Sequence, residues 1–340
     1  MNLSKDSFDA ALLPGVRERL ALAYRSLRQS EQDVFQSVLD DNGVFRDGLA
    51  YIRNCPLCAT PSHDASLVYC AHGMHIVQCV QCNLVYSREV INRDADSSRY
   101  RRSNAMDAHM ALHTNSAYAE LELAKARYII TCLSNAGDGS KVSLLDIGCS
   151  TGAVLQAACD VGWRPLGIDL NSAAVQIARA RGLQAIEGHF PEDVPSGTGL
   201  FSGITMLDVL EHAEDPVGLL VSVTKHLAPG GLLGVQVPNF DSLLIRIEGS
   251  RNNNICHGHW SYFTSQTLIK AAEKAGLEVL SIETIISEID RICAYPAKQA
   301  VETARLLTGR DVEFAEINHQ WVHEHLLGYK LFGVFARSRT

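Results

Sequence analysis

The chain has 340 residues, of which 46% are apolar and 20% are charged, and its formal net charge is −8. This composition is typical of a globular protein with room for more than one structural unit. It contains no apolar run of about eighteen residues, and Met1 to Ala10 lacks the apolar core of a signal peptide. We therefore expect neither a membrane span nor export. An acidic chain is also not expected to bind nucleic acid, because contact with the phosphate backbone requires a basic surface.

Apolar residues recur at helical spacing from Leu12 to about Leu39, and Asp41-Asn42-Gly43 then supplies a stop. This pattern predicts one or two amphipathic helices. We assign residues 1–48 to an N-terminal helical segment.

Two C-x-x-C pairs follow, and twenty residues separate them. The four cysteines are Cys55, Cys58, Cys79 and Cys82. Two such turns can complete a tetrahedral thiolate shell around Zn²⁺, with no position left open for catalysis. With short strands expected at 65–69 and 74–78, residues 49–90 are predicted to form a zinc ribbon with a structural metal.

Alternatives to the zinc ribbon stay open at this point. One alternative is that the two C-x-x-C pairs are coincidental turns or a redox dithiol. Another is that one of His63, His72 and His75 replaces a cysteine as a metal ligand. The other cysteines are scattered among the ten in the chain, which suits a reducing compartment and predicts a cytoplasmic protein.

Residues 91–115 are polar and are predicted to be a solvated linker or lid. The alternative is that arginines in and beside this stretch meet a phosphate or carboxylate of a ligand. Those arginines are Arg88, Arg93, Arg99, Arg101 and Arg102. A helix is expected over residues 116–133.

Strands and helices then alternate to the end of the chain, with a helical insertion expected at 289–327. The predicted strands are 142–148, 164–170, 183–187, 201–207, 231–237, 277–286 and 329–337. The predicted helices are 151–162, 172–181, 216–227 and 265–275, and Asp215-Pro216 fits the start of the third. This order implies an α/β fold with a doubly wound, mostly parallel seven-stranded sheet.

A small-residue turn joins the first of these strands to its helix. It begins after Asp146 and contains Gly148, Ser150 and Gly152. This is not the G-x-G-x-x-G spacing of a dinucleotide site, and Asp146 would repel a pyrophosphate there. Asp169, at the tip of the second strand, can accept hydrogen bonds from both hydroxyls of a ribose. The unit therefore predicts a nucleoside ligand other than NAD.

The segment Asp146-x-Gly148-x-Ser150-x-Gly152 resembles the D/E-x-G-x-G-x-G motif of class I S-adenosylmethionine (SAM) methyltransferases, with serine replacing the second glycine. Residues 207–216, Leu-Asp-Val-Leu-Glu-His-Ala-Glu-Asp-Pro, resemble the L-x-V-L-E-H-x-x-D-P signature of the ubiquinone-biosynthesis-type branch. His259 to Thr264 resembles a later H-x-x-x-F-(S/T) segment of that group. The ribbon is similar to the zinc-binding N-terminal region of some methyltransferases of sugars and secondary metabolites.

The resemblance implies a Rossmann-like methyltransferase domain over residues 116–340, with an antiparallel last strand, that binds SAM. The implied cofactor-binding residues are Asp146, Gly148, Ser150, Gly152, Asp169, Leu170, His189, Phe190, Leu207 and Asp208. The implied catalytic residues are Glu211, His212, His257 and His259, with one of the last two expected to line the acceptor pocket. In a competing interpretation, Glu211 and His212 only fix the turn after their strand.

The expected reaction is methyl transfer to an O or C atom of a small molecule such as a sugar, a quinone-like compound or a secondary metabolite. An RNA methyltransferase whose ribbon grips RNA and a non-catalytic SAM-binding scaffold remain alternatives. If Ser150 adopts a positive φ, mild strain is expected there.

Overall fold

The computed structural model describes residues 4–92, 105–137 and 143–337, and a seven-stranded sheet lies at its centre. The strands are β1 (Ala50–Ile52), β2 (Ser66–Ala71), β3 (Met74–Gln78), β4 (Val85–Ser87), β5 (Glu89–Ile91), β6 (Ser143–Ile147), β7 (Arg164–Asp169), β8 (Ala185–Glu187), β9 (Phe201–Leu207), β10 (Leu227–Pro238), β11 (Ser261–Tyr262), β12 (Leu277–Ile285) and β13 (Lys330–Arg337). The α-helices are α1 (Val16–Ser37), α2 (Ala105–His113), α3 (Ser116–Ala136), α4 (Ala153–Asp160), α5 (Ser172–Ala180), α6 (Pro216–His226), α7 (Leu243–Glu248), α8 (Ser265–Lys274), α9 (Ile289–Cys293), α10 (Ala297–Thr308) and α11 (His319–Glu324).

The order of the central sheet is β8-β7-β6-β9-β10-β13-β12. Strands β6 to β10 are parallel, whereas β13 runs antiparallel to both β10 and β12. The chain leaves β6 toward one edge of the sheet and returns to its other side at β9. Ligands of doubly wound sheets bind at the carboxyl ends of the strands at such a switch point.

The predicted seven-stranded, mostly parallel sheet is confirmed, including its antiparallel last strand. Most element bounds agree within a few residues, although β10 starts at Leu227 rather than at residue 231. The N-terminal segment contains a single long helix, α1. The expected insertion at 289–327 is helical and contains α9, α10 and α11.

Side-chain caps define where several helices begin. Asp215 accepts a hydrogen bond from the Gly218 amide at 2.9 Å, with Pro216 in the first turn, so the predicted start of α6 is confirmed. Asn171 caps α5 through the Ala174 amide. Each cap satisfies a backbone donor that the helix itself leaves free.

Both faces of the sheet are covered. Apolar residues of α3 and α4, among them Ile129 and Ala157, cover one face. The opposite core contains Leu220 of α6 and Leu268 of α8, and it also includes the cysteines at positions 55, 79 and 82. The ribbon therefore shares a continuous hydrophobic core with the central sheet.

The ribbon sheet has the order β11-β4-β3-β2, and β1 pairs separately with β5. Two of these strands were expected from the sequence, with the first now at Ser66–Ala71. Strand β11 comes from a segment far along the chain and is only two residues long, too short for a periodic pattern.

Part of the predicted linker or lid, residues 93–104, lies outside the described residues, and so do Arg93, Arg99, Arg101 and Arg102. The end of that stretch forms α2. Within the described part of the chain, no helix combines the length and apolar character needed to cross a bilayer.

Strand β7 passes close beneath the turn that follows β6. A Cβ atom added at Gly167 would lie 2.5 Å from Cys149 Sγ and 2.8 Å from Leu155 Cδ1. We expect Gly167→Ala to lower the free energy of unfolding by about 1–3 kcal/mol, as overpacked cores do. Urea unfolding measures this. The matched control is Gly137→Ala, whose nearest neighbour would be 3.4 Å away; an equal loss in both variants would contradict the packing argument.

Candidate functional site

The predicted polar residues converge at the carboxyl edge of the central sheet. The glycine loop, residues 148–152, follows β6, and Asp169 ends β7. Asp208 and Glu211 follow β9, and the antiparallel β13 starts at the same edge with Lys330.

The glycine loop requires backbone conformations that most residues avoid. Gly148 and Gly152 have φ values of +76° and +87°, and a Cβ at either would lie within 2.6 Å of a neighbouring side chain. Ser150 has φ +45°, so the expected positive φ is present and its strain follows. These conformations turn successive amides toward the tip of β7.

Asp169 fastens this loop. Its Oδ2 accepts from the Ser150 amide and its Oδ1 from the Asn171 amide, both at 2.8 Å. Each carboxylate oxygen keeps a further lone pair, so both can still accept from the vicinal hydroxyls of a ribose.

Asp146 is almost fully buried beneath the loop, where its Oδ1 accepts from Thr205 Oγ1 at 2.7 Å. Burial, with a smaller contribution from Asp169, raises the pKa of Asp146 to about 7. A cationic ligand nearby would favour the ionised carboxylate.

Helix α2 lies over the loop and was not foreseen as part of the site. His113 Nδ1 is 3.2 Å from Ser150 Oγ, and Asn171 Nδ2 contacts the sulfur atoms of Met106 and Met110. Burial lowers the pKa of His113 to about 3, so its ring is neutral. The sequence signal for this helix was the i,i+4 spacing of two methionines, Met106 and Met110, and of two histidines, His109 and His113.

The remaining predicted cofactor residues are more dispersed. Leu170 is 62% exposed at the strand tip, and the backbone amide of His189 donates to Asp193. The ring of Phe190 packs against His226 of α6 with centroids 5.0 Å apart. Leu207, the last residue of β9, stands next to the site at its carboxyl edge.

Across the edge from Asp169, three side chains form a cluster that we call the polar cluster: Glu211, His212 and His259. One potential ligand atom from each lies within 4.8 Å of the others. His212 Nδ1 is 2.8 Å from the Gly258 carbonyl and His259 Nδ1 is 3.0 Å from the Asn254 carbonyl. Since a carbonyl only accepts, both Nδ1 atoms carry the proton in the neutral rings, which leaves Nε2 as a proton acceptor.

Glu211 is 1% exposed, and neither carboxylate oxygen has a hydrogen-bond partner among the described residues. Burial, followed by the charge of Asp208, raises the pKa of Glu211 to about 8. For His259, burial, the neighbouring His212 and the cation of Lys330 hold the pKa well below its usual value. The polar cluster therefore holds a protonated acid and an uncharged base near neutral pH.

Lys330 was missed in the sequence. Its Nζ donates to Asp208 Oδ1 at 2.7 Å, while Gln236 Nε2 donates to Asp208 Oδ2 at 2.7 Å. Although burial opposes it, the charge of Lys330 keeps the pKa of Asp208 below its usual value. The sequence signal for Lys330 was its position at the start of the predicted antiparallel last strand, because such a strand starts at the ligand-binding edge of the sheet.

The donor atoms of the polar cluster are of the kind that bind divalent cations. The ammonium of Lys330 acts electrostatically on the same three residues and opposes a second cation there. The arrangement is better suited to proton transfer than to metal binding.

His257 is not brought to the polar cluster. Its Nε2 is 2.6 Å from the His72 carbonyl, and its ring packs against Phe35 and Phe45. Of the two histidines predicted for the acceptor pocket, the geometry favours His259.

The four predicted metal ligands do come together and form what we call the four-cysteine centre. The Sγ atoms of Cys55 and Cys82 are 3.5 Å apart, as are those of Cys58 and Cys79, and all four lie within 4.8 Å of one another. With Zn–S bonds of about 2.3 Å, a tetrahedral site needs sulfur atoms about 3.8 Å apart. The spacing of the four sulfur atoms therefore fits one Zn²⁺ ion.

The two buried acids give the folded protein a pH signature. Asp146 and Glu211 titrate at about 7 and 8 in the folded state but near 4 when unfolded. Between these values the folded state binds more protons, so both groups make stability fall as pH rises from about 4 to about 8. We expect Glu211→Gln to flatten this slope in urea unfolding, whereas the exposed Glu192→Gln keeps it. If stability of the Glu211→Gln variant fell with pH as steeply as that of the wild type, the raised pKa of Glu211 would be contradicted.

Comparison with known proteins agrees with this geometry. Residues 118–282 match a family model described as a methyltransferase domain. C-methyltransferase NovU of Streptomyces niveus is 27% identical over 235 residues, which cover 67% of this chain and 52% of that protein. The ubiquinone biosynthesis O-methyltransferase of Idiomarina loihiensis is 27% identical over 165 residues, 44% of this chain and 65% of that protein.

The chain thus spans about half to two thirds of the length of these relatives. Among solved structures, the plantazolicin methyltransferase BpumL in complex with SAH aligns with 71% of this chain and 92% of its own, at 15% identity and a TM-score of 0.47. Over residues 118–282, just under half of its length, the chain is thus similar to a methyltransferase domain family, and its curated relatives are C- and O-methyltransferases.

Proposed function

We propose that the protein transfers a methyl group from SAM to an O or C atom of a small-molecule acceptor. One observation carries the proposal: the glycine loop and Asp169 follow β6 and β7, and two residues of the polar cluster follow the adjacent β9, so both groups lie at the carboxyl edge of the same sheet. The first can hold a nucleoside donor and the second can activate a nucleophile. The curated relatives, named as C- and O-methyltransferases, support this reaction class.

On the donor side, Asp169 would accept from the ribose hydroxyls, and the glycine loop amides would face the amino-acid end. The positive charges of SAM, an ammonium and a sulfonium, would meet the carboxyls of Asp146 and Asp208. SAM supplies the electrophilic methyl group, which is displaced in line by the acceptor atom. Helix α2 would shield the donor from water, with neutral His113 against Ser150.

On the acceptor side, His259 is the best placed general base. Its Nε2 is unprotonated, and its orientation is held by the Asn254 carbonyl. Glu211 and Lys330 would stabilise negative charge on the acceptor, one as a neutral acid and the other as a cation. His212 would orient the acceptor beside them.

We also propose that the four-cysteine centre binds one structural Zn²⁺. Its sulfur spacing supports this, and so does its position in the same core as the central sheet. All ten cysteines are free in the structure, which supports a reducing, cytoplasmic location.

The proposed activity is tested by SAM-binding calorimetry followed by an acceptor panel of sugars, quinols and phenols, with release of S-adenosylhomocysteine as the readout. We expect SAM binding and turnover on at least one acceptor class. Absence of SAM binding would contradict the proposal. SAM binding without turnover on any class would favour a scaffold, and RNA binding that falls steeply with salt would favour an RNA substrate.

Asp169→Ala tests the donor side. Because the carboxylate would make two charge-assisted hydrogen bonds to the ribose, we expect SAM affinity to fall by at least about tenfold in calorimetry. The control is Asp160→Ala, which removes a carboxylate at the end of α4 that pairs with Arg127. Unchanged affinity in Asp169→Ala would place the ribose elsewhere.

Metal analysis tests the zinc proposal. We expect about one zinc per chain, lost in Cys79→Ser together with part of the thermal stability. Cys70→Ser changes an exposed ribbon cysteine outside the centre and should keep the metal. Equal metal content in the two variants would refute the assigned ligand set.

A further inference from the structure

The ribbon sheet continues directly into the histidine loop, residues 254–260. Strand β11 follows this loop and pairs with β4, with Ser261 opposite Tyr86. The Ser87 amide donates to the Trp260 carbonyl at 3.0 Å, and the Trp260 amide donates to the Glu211 carbonyl at 2.8 Å. A line of backbone hydrogen bonds therefore runs from the ribbon through the residue next to His259 to Glu211.

The Arg53 side chain donates hydrogen bonds to three segments: the ribbon, the histidine loop and the turn after β9. Its Nε donates to the Ser87 carbonyl at 3.1 Å, its Nη1 to the Glu214 carbonyl at 3.0 Å and its Nη2 to the Trp260 carbonyl. The planar guanidinium presents several donors in a fixed fork, which an ammonium cannot reproduce. Arg53 thus sets the histidine loop against the turn that carries Glu211 and His212.

The position of Arg53 in the chain connects this clamp to the four-cysteine centre. Arg53 lies two positions before Cys55, with only Asn54 between them. The Cys55 amide donates to the Thr60 carbonyl, which folds the first cysteine turn back on itself. Tyr51, on the other side of Arg53, donates from its hydroxyl to Glu214 Oε2 at 2.7 Å. The backbone that holds Arg53 is therefore anchored at the centre on one side and at Glu214 on the other.

We infer that Arg53 is a positioning residue through which the four-cysteine centre holds His259 and the Glu211–His212 turn in register. The inference rests on the proposed function, since it assigns the ribbon to the acceptor half of the site. The glycine loop is anchored separately, by Asp169 and by hydrogen bonds to the Ile168 carbonyl. Disturbing the ribbon should therefore loosen the acceptor half and leave the donor half intact.

Hydrogen exchange of the zinc-loaded full chain, read by mass spectrometry, tests this separation. In Arg53→Met, amides in residues 209–216 and 254–263 should exchange at least about tenfold faster, as expected for losing charge-assisted hydrogen bonds. Amides in residues 143–170 should keep the wild-type rate, and SAM affinity should be unchanged. The matched control is Arg88→Met, because the Arg88 side chain pairs with Glu89 within the ribbon.

The tautomers of His212 and His259 give a second readout that loss of stability alone would not move. Imidazole ¹⁵N chemical shifts should report Nδ1-protonated rings in the wild type and in Arg88→Met. In Arg53→Met, at least one ring should become a mixture of tautomers, because its carbonyl partner is no longer held in place. Arg53→Lys should fall between the two, since lysine keeps the charge and loses the fork.

When the metal is removed by a chelator or by Cys79→Ser, with Cys70→Ser as control, exchange should accelerate more at 209–216 and 254–263 than at 143–170, where the shared core allows a smaller change. If Arg53→Met does not fold, Arg53→Lys and the chelated wild-type protein carry the test. Unchanged exchange at 209–216 and 254–263 would overturn the inference. Equal acceleration at 143–170 would do so as well, because the ribbon would then support the whole fold. Absence of SAM binding in the wild-type protein would contradict the proposed function. It would not affect the exchange test, because the exchange rates are measured without SAM.

Discussion

The hydrogen bond between the Ser150 amide and the Asp169 carboxylate joins the two strands on which the donor half of the site depends. It holds the loop after β6 against the tip of β7, although Ser150 must adopt a positive φ to reach it. Such strain persists where the surrounding structure over-determines it, and here both flanking glycines have no room for a side chain. The same carboxylate would receive the ribose, so loop geometry and ligand position have one common anchor.

Electrostatics divide the site into two halves. Donor-side carboxyls suit a doubly cationic ligand, whereas the polar cluster combines a buried acid, Glu211, with the neutral base His259. Lys330 pairs with Asp208, and burial, followed by His212 and the charge of Lys330, holds the pKa of His259 well below its usual value. A base that stays neutral and an acid that stays protonated at the same pH are a combination that supports acid–base chemistry.

Periodicity and turn residues were enough to predict the seven strands and the glycine loop, because these follow from local patterns. The contributions of Lys330 and of β11 were missed because they depend on which distant segments meet in three dimensions. The sequence left open which of His257 and His259 lines the acceptor pocket, and packing separates them: one ring is enclosed by Phe35 and Phe45, and the other faces His212. The ribbon was predicted from cysteine spacing, but its merger with the sheet core was not.

A nucleoside loop, a proton-transfer cluster and a cysteine ribbon meet at one sheet edge, and Arg53 joins the ribbon to that cluster. The proposed site places the methyl donor between Asp169 and the polar cluster. A crystal structure with bound S-adenosylhomocysteine would show whether it lies there. We expect Asp169 to accept from both ribose hydroxyls and the ligand sulfur to face His259. A ligand whose sulfur points away from the polar cluster, or whose ribose lies off Asp169, would refute this placement.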